Sequence, residues 1–209
     1  MKLSELITHT SDWTGIQRTV VESHARYLRE AGLLTSGGRG LAAPDMTDAD
    51  KIRLLISVCG VSIASAAPVE IRKWLRCERA EQTSSLGFKF SFYEQRTLPA
   101  ALLALSKADL HGGELTAWRR GDRSGGAPNI ALESASITVS FEVDSVRASI
   151  ELRREFAGTW AAKEFSAIQN VDVSFMHIAK QVESYRAKAQ FICRLSEANL
   201  VGWGQCLRD

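Results

Sequence analysis

The chain is poor in the features that mark most specialised classes of protein. In 209 residues it carries four prolines, four cysteines and 8% aromatic side chains. Cys59, Cys77, Cys193 and Cys206 form no C-x-x-C pair and have no histidine at zinc spacing, which argues against a disulfide framework and a zinc site. Cys59 falls in an apolar helical pattern, where a thiol packs as a small hydrophobe. The 15 glycines follow no triplet and no heptad persists, so a collagen or coiled-coil rod is excluded. No apolar run is long enough to span a bilayer, since the stretch 52–67 is broken by Arg53, Ser57, Gly60, Ser62 and Ser65. Met1-Lys2-Leu3-Ser4-Glu5 lacks the apolar segment of a signal peptide, so the expectation is a cytoplasmic chain with no membrane partner.

Catalytic signatures are missing as well. The H-E-x-x-H, G-x-S-x-G and G-x-x-x-x-G-K-[ST] patterns do not occur, and His9, His24, His111 and His177 are scattered. Asp48 and Asp50 resemble a carboxylate pair, but acids at that spacing commonly complement a helix N-terminus. The chain is therefore expected to have no enzymatic activity, no cofactor and no metal. A net charge of +2 rules out a uniformly basic nucleic-acid glove and leaves the distribution of charge as the informative quantity.

What the chain does have is apolar material for a core, at 45% of residues, in two differently patterned halves. Leu3, Leu6 and Ile7 predict a short first helix that stops by Ser11-Asp12. A second helix opens at Thr14-Gly15-Ile16-Gln17, with Thr14 as cap and Gln17 reaching back. Its apolar side holds Ile16, Val20, Tyr27, Leu28 and Ala31, and His24 lies on that side as a packing residue. Gly32 supplies the left-handed stop. Arg18, Thr19, Glu22, Ser23, Arg26 and Arg29 gather opposite. Leu33-Leu34-Thr35 predicts a short strand leading into the loop Ser36-Gly37-Gly38-Arg39-Gly40. A third helix begins at Thr47 with Ile52, Leu55, Ile56 and Cys59 inward, and Pro68 starts a fourth carrying Ile71, Trp74 and Leu75.

Thr14-Gly15-Ile16-Gln17-Arg18-Thr19-Val20, then Tyr27-Leu28-Arg29-Glu30-Ala31-Gly32-Leu33-Leu34, then Gly37-Gly38-Arg39-Gly40 resemble a winged helix-turn-helix over about the first 60 residues. The stretch is also similar to the N-terminal segment of small DNA-binding proteins of prophages and gene transfer agents. The resemblance implies double-stranded DNA as partner. Gln17, Arg18, Thr19 and Glu22 would then occupy the helix end that reaches base edges, where arginine reads guanine, glutamine adenine and glutamate the cytosine amine. Ser23, Arg26 and Arg29 would meet phosphate, and Arg39 on its glycine loop would enter a minor groove.

The polar stretch 81–87 predicts a linker, dividing the chain into a helical domain at 1–80 and an α+β domain at 88–209. Beyond it, Phe88, Phe90 and Phe92 alternate as in a strand, and Thr97-Leu98-Pro99 opens a helix. The antiparallel hairpin Ile137 to Val143 and Val146 to Leu152, turning at Asp144-Ser145, is the clearest element. Phe175, Ile178, Val182 and Tyr185 predict a late helix. The fold class expected is thus α+β, a winged helix-turn-helix followed by a small hairpin-bearing region that oligomerises or binds a partner protein. Function follows as a sequence-specific DNA-binding regulator of a phage or mobile element. The alternatives are a small-terminase-like DNA-recognition subunit and a helix-turn-helix protein-interaction module.

Overall fold

The computed structural model describes residues 1–38, 42–84, 90–107, 130–144, 146–160, 163–176 and 192–195. Arg39, Gly40, the basic stretch at 118–123, His111, His177 and Cys206 lie outside the described residues. The architecture is α+β. Helices α1 (Leu3–Thr14), α2 (Arg18–Glu30), α3 (Asp48–Gly60), α4 (Ala67–Trp74) and α5 (Leu98–Lys107) accompany one five-stranded antiparallel sheet. Its strands are β1 (Glu78–Ser84), β2 (Ile130–Glu142), β3 (Arg147–Trp160), β4 (Lys163–Met176) and β5 (Ile192–Leu195), in the order β1-β4-β3-β2-β5. Leu6, Val21, Leu28, Leu54, Ile71 and Trp74 belong to the same buried cluster as Leu102, Phe141, Ile150 and Leu152.

Helix α1 runs further than its apolar spacing indicates. Thr14 is its last residue rather than the cap of the next helix, because its Oγ1 donates to Thr10 O at 2.7 Å and accepts from the Ile16 N–H at 3.2 Å. Gly15 then turns left-handed (φ 69°) and donates its N–H to Ser11 O. After α2, Gly32 takes the left-handed conformation expected of it (φ 68°), and the Leu33 N–H closes back on Leu28 O at 2.8 Å.

No strand forms among Leu33, Leu34 and Thr35. Leu34 is buried, and the Thr35 N–H that a ladder would use donates to the Asp50 carboxylate at 3.0 Å. The same carboxylate accepts from Thr35 Oγ1, the Thr47 N–H and Thr47 Oγ1 at 2.7–2.8 Å, while the Asp50 N–H donates to Thr47 Oγ1. This completes the capping box of α3 and ties the α2–α3 connection to it. Burial pushes the Asp50 carboxyl up; the hydrogen bonds from Thr47 and Thr35 outweigh that and hold it below the ordinary carboxylate value.

The second half departs further from expectation. The stretch expected as a linker overlaps β1, whose Gln82, Thr83 and Ser84 pair with Val173, Asp172 and Val171 of β4. Phe90 and Phe92 do not continue a strand: Ser91–Glu94 is a 3-10 turn, and both rings are buried and stacked at 5.3 Å. The hairpin is present with Ile137, Val139 and Phe141 opposite Leu152, Ile150 and Ala148, and it extends to 13- and 14-residue strands. Phe175 lies in β4 opposite Ala148 instead of in a helix, while Ile178, Val182 and Tyr185 lie outside the described residues.

Candidate nucleic-acid interface

Helix α2 is braced on its inner side. Val21, His24, Ala25 and Leu28 are buried, and the helix packs against α1, α3 and α4. The buried phase differs by one residue from the one expected, since Val21 faces inward and Val20 is 40% exposed. Gln17, Arg18, Thr19, Glu22, Arg26 and Arg29 are exposed on the outer side, and Ser23 is half-buried with its hydroxyl donating to Thr19 O. Seven of the eight residues singled out from sequence therefore share one helix and its cap; the eighth, Arg39, lies outside the described residues.

The three α2 arginines differ in their surroundings. Arg18 Nε donates to Glu22 Oε1 at 2.8 Å, and its Nη1 donates to Thr8 Oγ1 of α1 at 3.0 Å. Arg26 lies 4.0 Å from Glu30 and stacks over the Tyr27 ring, 4.7 Å from its centroid. Arg29 has no ion-pair partner among the described residues and borders a groove of about 420 Å³ between the end of α2 and the residues Thr35, Ser36, Gly37 and Gly38. Three cations against two anions leave α2 only mildly basic. The exposed Arg26–Glu30 pair is weak, so an anionic ligand can exchange with Glu30 at small cost. Thr8 is the one contributor that sequence reading missed. It precedes Arg18 by ten residues on another helix, and no spacing rule connects the two.

Behind the face, His24 is 1% exposed, with Nδ1 2.8 Å from Ser57 Oγ of α3. Burial lowers its pKa from 6.5 to about 4, which keeps the imidazole neutral at ordinary pH. The unfolded chain then binds the extra proton between those values. The stability this contributes is whole above pH 6.5 and is lost as pH falls toward 4. We expect that loss to be about 3 kcal/mol, and His24→Asn to flatten it. Urea melts of both proteins at pH 7 and pH 4.5 check this, and parallel pH dependences would contradict it.

Among the described residues, no group of three or more His, Cys, Asp or Glu side chains is arranged to hold a metal. No described helix is long and apolar enough to cross a membrane. Comparison with known proteins finds no family, no curated protein and no solved structure that matches the chain.

Proposed function

We propose that the chain binds double-stranded DNA with sequence preference through the outer side of α2. One observation carries the reading. Two helices are joined by the three-residue turn Gly15, Ile16 and Gln17, with Gly15 left-handed, and the second helix exposes a contiguous polar face beginning at its first residue. A helix-turn-helix uses this connection to present the start of its second helix to base edges in a major groove. In this reading Gln17, Arg18, Thr19 and Glu22 face the bases and Arg26 and Arg29 meet phosphates. The wing that this reading calls for would include Arg39, which lies outside the described residues. Self-association belongs to the same proposal, because one mildly basic helix supplies few phosphate contacts and a second copy doubles them.

In vitro selection of bound duplex, with mass measurement of the complex, tests the reading. Arg18→Ala should cost about 1–3 kcal/mol at one base position, whereas Arg29→Ala should weaken all sequences alike and reduce the salt slope by about one. A folded wild-type chain that enriches no sequence would instead favour a helix-turn-helix that contacts protein.

A further inference from the structure

Resting on that reading, we infer that Thr8 of α1 and Glu22 of α2 are positioning residues that hold the Arg18 guanidinium in one pose for base readout. The geometry is a two-helix clamp. Glu22 Oε1 takes the Nε hydrogen and Thr8 Oγ1 takes one from Nη1. Thr8 is itself oriented, because its single hydroxyl hydrogen is donated to Ser4 O at 3.0 Å, which leaves its lone pairs to accept from Arg18. A chain of donors therefore runs from Arg18 through Thr8 to the backbone of α1. A guanidinium has five N–H donors, and the clamp occupies two, leaving three to face outward.

The surface pair Arg18–Glu22 alone would carry little weight, since both side chains are about half exposed and such pairs hold loosely. The second anchor changes this. It comes from a different helix, across a turn fixed by Gly15 and Thr14, so the guanidinium is restrained from two directions by rigid elements. Bidentate recognition of a guanine edge is orientation-dependent, and a restrained arginine loses less rotamer freedom on docking than a free one. Glu22 thus acts on specificity through Arg18, a different role from the cytosine acceptor that its residue type suggests.

The test compares Thr8→Val, which keeps shape but removes the acceptor, with Thr8→Ser, which restores a hydroxyl. Both are measured beside wild type and Arg18→Ala by in vitro selection and by thermal melting of the full chain. Arg18→Ala locates the base position that loses its preference. At that position Thr8→Val should lower discrimination roughly five-fold, with the other positions, the salt slope and the melting temperature unchanged. Thr8→Ser should retain the wild-type profile. A Thr8→Val profile identical to wild type, where Arg18→Ala relaxes one position, overturns the clamp and leaves the DNA reading standing. A wild-type chain that selects no sequence overturns both.

Discussion

Asp50→Ala should destabilise the protein by about 3–5 kcal/mol and lower its melting temperature by roughly 10 °C. The carboxylate is 1% exposed and accepts four hydrogen bonds, from the backbone and hydroxyl of Thr35 and of Thr47. Charge-assisted bonds of this kind contribute about 1.5–3 kcal/mol each, though bonds that share one acceptor group do not add in full. Truncation also leaves part-buried donors without a partner and removes half of the α3 capping box. The sign with pH is fixed: a carboxyl held below its ordinary 3.8 stabilises the fold above that value, and the contribution disappears as pH falls through the depressed one. Asp50→Asn, which keeps one acceptor oxygen, should fall between wild type and alanine. Denaturant midpoints at constant slope measure the series, and a loss below 1 kcal/mol for alanine would show that the clip does not hold the loop.

Trp74→Ala should cost a similar amount, about 3–5 kcal/mol, and its effect should spread across the chain. The indole is 1% exposed and meets Phe141 of β2 at 5.6 Å with the rings tilted by 57°. On the other side it fills the space left by Gly60 of α3, where a Cβ would stand 2.7 Å from Cε2. Removing it opens a cavity bordered by a helix and a strand together. Two further ties join residues before and after the polar stretch 81–87. Cys77 Sγ lies 3.6 Å from Val146 O, and Lys107 Nζ lies 2.8 Å from Asp48. Hydrogen exchange should therefore lose protection in α3, α4, β2 and β3 by the same factor. Loss confined to the helices would show that the two parts unfold separately.

Local chemistry was legible where one stretch of chain decides the outcome. Thr47 followed by the acids Asp48 and Asp50 gave the start of α3, Gly32 gave the end of α2, and the alternation around Val139 and Ile150 gave the hairpin. Partners far apart in sequence were not legible. Nothing in Thr35 reveals that its N–H seeks Asp50, and nothing in the polar run of β1 marks a strand, since its pairing depends on β4 some ninety residues later. Val171-Asp172-Val173-Ser174-Phe175 does alternate with period two, but the spacing of Phe175, Ile178 and Val182 competes with it. The pairing with β3 settles that contest in favour of the strand for 163–176. The exposed face of α2 was readable from the helical wheel. Its phase was displaced by one residue because Ala25, which adds little to an apolar count, is buried, and Val21 is buried where Val20 was expected.

The sheet order has a consequence for solubility. An open antiparallel sheet presents two rows of unsatisfied backbone groups, and a long flat apolar edge is a template for aggregation. Here the three long strands β2, β3 and β4 lie inside, and the described edges are blunted in different ways. β5 spans four residues. β1 reads Glu-Arg-Ala-Glu-Gln-Thr-Ser, with three charges and no large apolar residue, and its start is bridged to Thr97. Charge and shortness at β1 and β5 oppose edge-to-edge pairing where they lie, over 171–176 of β4 and 139–142 of β2; among the described residues, the rest of those two long strands has no strand on its outer side.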